Sequence, residues 1–191
     1  MSKNKHYLSN LLKNRKFNYE NNYAQIENFI KDLYPHLFKT LKKGGKIMIC
    51  GNGGSASDAN HFAAELSGKF KSKKRALLPC LSLTSNTSNL TAIANDFNFE
   101  QIFSKLVESY GNNNDILICL STSGKSKNII KAIEVAVKKK IIVIGLFGRV
   151  KYEYMNKINY CLNINSIETA IIQELHYLSL HLICELLEND F

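Results

Sequence analysis

The sequence predicts an α/β protein, a three-layer sandwich on a five-stranded parallel sheet with an N-terminal helical extension. Short apolar runs supply the strands, at 47–50, 80–83, 116–120, 141–146 and 160–164. Helical segments separate most of these runs, at about 55–70, 99–110, 127–139 and 167–189. Runs that are apolar on both faces and alternate with helices are typical of a parallel sheet covered on both sides.

The extension comprises residues 1–45, and residues 46–191 form the sheet domain. The pattern of the extension is helical. It contains no glycine before Gly44 and Gly45, and this pair predicts that the helix ends after Lys43. We expect a break near residues 14–22, which would give a short helix followed by a longer one. The chain shows no repeat, linker or low-complexity tract.

Composition narrows the class of protein. A chain of 191 residues with 45% apolar residues can fold as one domain with a full core. The formal charge of +9 comes from scattered lysines, and clusters at 69–75 and 138–140 are typical of solvated helix ends. Because no aromatic-interleaved basic stripe or reader motif accompanies them, we expect no nucleic-acid partner. A basic field equally suits a small phosphorylated substrate.

Location and redox state follow from two further features. No apolar run approaches the ~20 residues that cross a bilayer, and the N-terminus lacks the apolar core of a secretion signal. We therefore expect a cytoplasmic protein without a membrane partner. The five cysteines lie far apart and none forms a Cys-x-x-Cys pair, so buried free thiols are expected rather than disulfides or a zinc cluster.

Residues 50–65 are the most informative stretch of the chain, a strand end, a glycine-rich turn and a helix start. Gly51, Gly53 and Gly54 lack Cβ, so the turn can present backbone N–H groups to an anion at the helix N-terminus. The turn partly matches the dinucleotide fingerprint. That fingerprint expects an acidic residue ~20 positions later, where this chain has the basic cluster 69–75, so a dinucleotide site is not expected.

A second loop follows the apolar run 116–120. Its four hydroxyls and glycine suit a phosphate at the N-terminus of the next helix, and they belong to Ser121-Thr122-Ser123-Gly124-Lys125-Ser126. A nucleotide-binding P-loop needs glycine where Cys119 stands, so that motif is excluded. An ordinary capping loop remains the alternative. With 51–57 and 84–89, this loop is expected at the carboxyl ends of the strands, where such sheets bind ligands.

Two helices carry candidate proton-transfer or metal-binding residues. His61 and Glu65 are four residues apart and share one helical face. In the apolar C-terminal helix, Gln173, Tyr177 and His181 form one polar stripe, with His176 on a neighbouring face. Polar groups in so apolar a helix need partners when buried. A solvated surface pair and a satisfied core network are the alternatives to a functional site.

Together these segments resemble the phosphoheptose isomerases of the sugar-isomerase (SIS) domain superfamily, from about residue 20 to 188. The motifs are the whole of 50–66, Ala94-Asn-Asp96 with Phe99-Glu100, the loop Ser121–Ser126, and Ile172-Gln-Glu-x-His176 leading to His181. Two departures stand out. Many relatives carry Asp-Gly-Gly-Lys-Met after the segment Gly145–Arg149, and an arginine where this chain has Ile171.

The resemblance implies roles for individual residues. Glu65 and His181 match the acid/base pair, and His61, Glu65, Gln173 and His181 match a zinc site with one Zn²⁺ per subunit. A residue that ligates the metal is less free to transfer protons, so the two roles need not coincide in every state. The residues matching the substrate site are Asn52, Gly53, Gly54, Ser55, Glu65, Asn95, Asp96, Ser121, Thr122, Ser123, Ser126 and Gln173.

The implied activity is interconversion of D-sedoheptulose 7-phosphate and D-glycero-D-manno-heptose 7-phosphate through an enediol, for lipopolysaccharide or capsule precursors. A carboxylate suits removal of the carbon-bound proton, and an imidazole suits the oxygens. The resemblance also implies a homotetramer with active sites at subunit interfaces. The alternatives are a non-catalytic SIS protein that binds a partner such as a replication initiator, and a sugar-phosphate-sensing regulator; a scaffold would not need Glu65 and His181 together.

Overall fold

A computed structural model describes the backbone of residues 2–191 and the side chains from residue 4 onward. The helices are α1 (Ser2–Lys42), α2 (Gly54–Ser67), α3 (Thr87–Asp96), α4 (Ile102–Tyr110), α5 (Lys127–Lys138) and α6 (Thr169–Asp190). The strands are β1 (Ile47–Cys50), β2 (Cys80–Ser82), β3 (Ile116–Ser121), β4 (Ile142–Phe147) and β5 (Tyr160–Asn163). Short 3₁₀ helices span Phe99–Gln101 and Glu153–Lys157.

All five strands pair in parallel in the order β2-β1-β3-β4-β5, which confirms the predicted sheet. Side chains alternate between the two faces. Ile47 and Ile49 join a core with α1, α2 and α6, whereas Met48 and Cys50 join a second core with α4 and α5. Helices therefore cover both faces, because each strand is apolar on both sides.

The strand order places one crevice at a defined point in the sheet. The chain leaves β1 for β2 on one side, whereas it leaves β3 for β4 on the other. Neighbouring parallel strands whose connections diverge in this way leave a gap beyond their carboxyl ends, where open α/β sheets bind ligands. The turn after Cys50 and the loop after Leu120 flank this gap between β1 and β3.

The predicted break in the N-terminal extension is wrong, because α1 is one continuous helix over Ser2–Lys42. Asparagine is a weak helix former since its side chain competes for backbone groups. Here the Asn18 and Asn22 amides donate to the helix carbonyls of Asn14 and Asn18, at 2.9 and 2.7 Å. The side chain of Asn22 also accepts from Asn165 N–H, so a contact from distant sequence supports this region of α1.

Other element boundaries also differ from the predictions. The segment 84–89, taken as a loop, contains the start of α3, whose N-terminus is capped by the Asn86 side chain. The predicted helix 99–110 begins with a 3₁₀ turn and continues as α4. The glycine pair does follow a helix end, with Gly44 at a φ of +77°. The division into residues 1–45 and 46–191 stays a prediction.

The last helix, α6, is long and apolar enough by composition to span a bilayer. Ile172, Leu175 and Leu187 belong to the core that lies against the sheet, and about half of the apolar stretch of α6 is buried. These contacts make α6 a core helix. All five cysteines are free, as predicted, and Cys50, Cys119 and Cys184 are buried while the other two are partly buried.

Candidate active site

The glycine-rich turn lies at the carboxyl end of β1 and leads directly into α2. Gly53 takes a φ of +57°, a conformation that favours glycine. Gly51 passes so close to the Ser55 carbonyl that an added Cβ would lie 2.6 Å from its oxygen. Ser55 itself is buried under the turn. The turn therefore presents the first N–H groups of α2 towards the crevice.

A pair of amides spans the crevice. Asn52 and Asn128 each donate to the other's Oδ1 atom at 2.9 Å. Asn128 is buried in the first turn of α5, so the pair ties the glycine-rich turn to the helix after β3. Sequence reasoning gave Asn128 no role. The available signal was a polar residue on the inner, otherwise apolar face of an amphipathic helix.

The loop 121–126 lies at the carboxyl end of β3, as predicted. Ser121 and Ser126 hydroxyl oxygens are 3.3 Å apart, and Gly124, at a φ of +64°, donates its N–H to Ser121 Oγ at 3.2 Å. Thr122 and Ser123 line an adjoining pocket of about 230 Å³ that also includes Arg149. Clustered hydroxyls beside the N-terminus of α5 provide the donors that a phosphate needs.

The second cluster lies where α2 meets α6. His61 Nε2 is 3.1 Å from His181 Nε2 and 3.3 Å from Glu65 Oε1. The Tyr177 hydroxyl lies 2.9 Å from the same nitrogen, and its ring contacts His181 edge-on with centroids 4.2 Å apart. The structure thus brings together three of the sequence-predicted residues. It adds Tyr177, which the polar stripe contained but to which no role was given.

The protonation states in this cluster follow from its surroundings. Burial and the nearby His61 lower the pKa of His181, although Glu65 opposes this shift. His181 is therefore favoured as a neutral imidazole, the form that can accept a proton or bind a metal. Burial, followed by the charges of Asp58 and Glu65, raises the pKa of Tyr177, so its hydroxyl stays protonated.

Gln173 lies at the other end of the contact between α2 and α6. The Gly54 backbone lies so close to it that an added Cβ would be 2.5 Å from Gln173 Nε2. Eight residues of α6 separate Gln173 from His181, about 12 Å along the axis. The structure therefore places Gln173 beside the glycine-rich turn rather than at the His61 nitrogen.

Two predicted residues lie apart from these clusters. Asn95 and Asp96, at the end of α3, are exposed, and Asn95 donates to Asp96 Oδ1 at 3.0 Å. Among the side chains that the structure describes, neither has a hydrogen bond to any predicted site residue outside this pair. Within a single chain they do not complete the site.

His176 is a core residue. It is fully buried, and its Nε2–H donates to the Phe147 carbonyl at 3.1 Å. Burial lowers the pKa of His176 to about 4, so the imidazole is neutral at neutral pH. It faces the end of β4, away from the His61 cluster. Of the two candidate histidines in α6, His181 therefore belongs to the cluster and His176 does not.

The donor types at His61 suit zinc, which binds imidazole nitrogens and carboxylate oxygens. The two Nε2 atoms are 3.1 Å apart, close to the ~3.3 Å between two nitrogens on one tetrahedral zinc. Among residues 2–191, however, no group of three or more His, Cys, Asp or Glu side chains is arranged to hold a metal ion. The donor chemistry fits, whereas the side chains form a hydrogen-bonded cluster.

The fold and the two clusters define a class, an α/β domain with clustered hydrogen-bond donors at its crevice and a carboxylate–imidazole pair on neighbouring helices. Comparison with known families agrees. The SIS-domain family model matches residues 7–148. The chain therefore belongs to the SIS-domain family.

Relatives and solved structures narrow the assignment to the phosphoheptose isomerases. A phosphoheptose isomerase from Campylobacter jejuni serotype O:6 is 49% identical over 156 residues, 81% of this chain and 83% of its own. The phosphoheptose isomerase structure from Francisella tularensis has a TM-score of 0.92, 31% identity and 99% coverage of both chains. The one from Neisseria gonorrhoeae has a TM-score of 0.89, 34% identity, and 97% and 98% coverage. This chain is a sugar-phosphate isomerase.

Proposed function

We propose that the protein interconverts D-sedoheptulose 7-phosphate and D-glycero-D-manno-heptose 7-phosphate through an enediol. The names of the relatives support a heptose phosphate as the substrate. The observation that carries the mechanism is the approach of Glu65 and His181 to the same His61 nitrogen, within 3.3 Å. One carboxylate and one imidazole therefore face one small space, as a proton transfer between neighbouring carbons requires.

The phosphate is proposed to bind at the crevice between β1 and β3. The hydroxyls of Ser121, Ser123 and Ser126 donate to its oxygens, together with N–H groups at the start of α2 and α5. The Asn52–Asn128 amide pair holds the two sides of the crevice at a fixed separation. Asn95 and Asp96 would bind substrate only where another subunit brings them to the site, since they are exposed here.

The proton transfer is assigned to Glu65 and His181. The carboxylate of Glu65 removes the proton from C1 of the ketose or C2 of the aldose and returns it to the other carbon. His181, neutral because its pKa is lowered, moves the hydroxyl protons between the two oxygens. Tyr177 orients the His61 ring through its 2.9 Å hydrogen bond, which places that imidazole between Glu65 and His181.

We propose that His61, Glu65 and His181 hold one Zn²⁺; Gln173, the fourth ligand that the resemblance implies, would reach it only by moving its side chain away from Gly54. When bound, zinc polarises the substrate carbonyl and stabilises the negative charge that develops on its oxygen. The donor set supports this proposal, and binding requires that His61 Nε2 give up its present hydrogen bonds.

We further propose a homotetramer with active sites at subunit interfaces. An apolar groove of about 650 Å³ between α1 and α6 supports it, with Tyr23, Leu182 and Leu186 partly exposed in the single chain. The first half of α1 also exposes Tyr7 and Phe17, each 64% accessible. Apolar area of this extent on two helices is typical of a surface covered by another subunit. Light scattering of the purified protein measures the assembly.

The enzyme is proposed to act in the cytoplasm and to feed heptose precursors for lipopolysaccharide or capsule. Five free cysteines are consistent with a reducing compartment. The decisive experiment is to incubate the pure protein with sedoheptulose 7-phosphate and to detect the aldose by NMR. Fructose 6-phosphate is a comparison substrate that shares the ketose end but is one carbon shorter. Absence of any heptose aldose from an intact, metal-loaded enzyme would refute the substrate assignment.

A further inference from the structure

A buried arginine holds the end of the helix that carries Glu65. Arg75 lies between α2 and β2, and only 2% of its side chain is accessible. Its Nη2 donates to the carbonyls of Glu65, at 2.6 Å, and Gly68, at 2.9 Å. Its Nη1 donates to the carbonyls of Leu66, at 3.0 Å, and Ala76, at 2.8 Å. One guanidinium therefore binds three carbonyls at the end of α2, those of Glu65, Leu66 and Gly68.

These contacts meet a need of α2 itself. The last carbonyls of a helix have no partner within it, and the negative end of its dipole favours a cation nearby. The last turn of α2 contains no basic residue. Arg75 provides the missing positive charge from outside the helix. Because Glu65 lies in this last turn, its own carbonyl is one of the groups held.

The same arginine also faces α6. Glu188 Oε1 lies 3.6 Å from Arg75 Nε, an ion pair without a hydrogen bond, since Nε has no hydrogen-bond partner among the described residues. The Glu188 carboxylate accepts from the N–H groups of Lys71 and Ser72 at 2.9–3.1 Å. It therefore binds the segment that follows α2. Glu188 lies two helical turns after His181 on α6.

We propose that Arg75, with Glu188, is a positioning residue that fixes Glu65 against His181. It joins the C-terminal end of α2 to α6, so the carboxylate and the imidazole on these helices keep their separation. Arg75 is too deeply buried to contact substrate, and it acts through the backbone of Glu65. This inference deepens the proposed isomerase function and rests on it. Since a misplacement of about 1 Å can lower a rate ~100-fold, a change in this contact affects turnover before it affects substrate binding.

The test compares Arg75→Met, Arg75→Lys and Glu188→Gln with the wild type. We expect Arg75→Met to lower kcat about 10- to 100-fold with KM changed less than about threefold, since the phosphate site is untouched. Arg75→Lys keeps the charge and part of the donor set, so it recovers part of kcat. Glu188→Gln keeps an acceptor for the Lys71 N–H, so its kcat is expected to fall less than that of Arg75→Met.

Lys46→Met is the matched control. Lys46 forms an ion pair with the buried Asp115 at the opposite end of the sheet, so its loss destabilises the fold without touching α2. At equal loss of Tm, the control keeps wild-type kcat. If Arg75→Met loses stability to the same degree and also keeps kcat, the positioning role is refuted.

A readout independent of activity separates this inference from the proposed function. Amide hydrogen exchange of residues 64–68 is expected to accelerate at least tenfold in Arg75→Met, with exchange of the central strands unchanged. Should Arg75→Met fail to fold, Arg75→Lys and Glu188→Gln carry the same comparison. If the wild type lacks isomerase activity, the proposed function fails, while the exchange result still decides whether Arg75 orders the end of α2. Unchanged exchange at 64–68 overturns the inference.

Discussion

The side-chain amides of Asn52 and Asn128 exchange two hydrogen bonds of 2.9 Å across the gap between β1 and β3. Each side chain donates from its Nδ2–H to the Oδ1 of the other. Substitution of either residue therefore leaves a polar group of the other without this partner. The pair lies between the two loops assigned to the phosphate.

Replacement of Asn128 by Asp is expected to weaken substrate binding. The carboxylate leaves Asn52 Oδ1 without a donor, at a cost of about 1–3 kcal/mol, and places a negative charge beside the phosphate site. We expect KM to rise about tenfold and Tm to fall. Steady-state kinetics and thermal melts check both values. Asn113→Asp, exposed at the other end of the sheet, is the control; an equal KM in the two variants would contradict the assignment.

Replacement of Glu65 by Gln is expected to lower kcat by about 10²–10⁴-fold, the usual contribution of a general base. The amide has the same shape, so the fold and phosphosugar binding should persist. Glu134→Gln, exposed on α5, is the matched control. Near-normal turnover in the Glu65 variant would exclude it as the base.

Dialysis against a chelator is expected to lower activity, and added Zn²⁺ to restore it. His181→Ala should weaken zinc binding at least tenfold, because one imidazole donor is lost. Metal analysis and competition with a chromophoric chelator measure this. His6→Ala, exposed in α1, provides the control. A wild-type protein that contains no zinc and is indifferent to chelator would rule out the ligand set.

Gly54→Ala tests the contact with Gln173. The new Cβ would lie 2.5 Å from Gln173 Nε2, the flexible end of a side chain, so Gln173 moves and the fold survives. We expect Tm to change little, while KM rises or zinc affinity falls. In a double-mutant cycle with Gln173→Ala, the Gly54 substitution should have almost no further effect. Additive effects would mean that the two residues act independently.

His176 makes stability depend on pH. Its folded pKa is about 4 and its ordinary value 6.5, so below pH 6.5 the unfolded chain binds a proton that the folded chain does not. The free energy of unfolding is expected to fall by about 3 kcal/mol between pH 6.5 and 4 through this residue alone. Urea titrations of wild type and His176→Gln at both pH values measure the difference. Parallel pH dependence in the two proteins would be evidence against this origin.

The sheet was predictable from the sequence because each strand is a short run buried on both faces, and helices separate these runs. The failure in α1 has a physical cause: Asn18 and Asn22 suggest a helix break, yet their side-chain amides donate to carbonyls of the same helix, and Asn22 Oδ1 accepts from the N–H of Asn165 in a distant loop. Only the folded chain supplies the last of these contacts. Local propensity alone therefore could not settle whether the helix continues.

The site was predictable in its residue types and less so in its connections. The spacing of His61 and Glu65 placed them on one face, but their approach to His181 depends on how α2 packs on α6. The only sequence signal at Asn128 was a polar residue on an otherwise apolar helix face, and Arg75 had none, since a lone Arg in a basic cluster is common. Their importance arises from partners on other elements: the glycine-rich turn for Asn128 and the end of α2 for Arg75.

The C-terminal helix α6 combines tasks that many enzymes divide among several segments. Ile172 and Leu175 anchor the hydrophobic interior, while Gln173 and His181, on the same helix, face the glycine-rich turn and α2. Substitutions in the core beneath α6 therefore change thermal stability and turnover together, because a shift of this helix also moves Gln173 and His181. Stabilising substitutions are better sought on the outer surface of α5, away from α6 and from the apolar groove between α1 and α6.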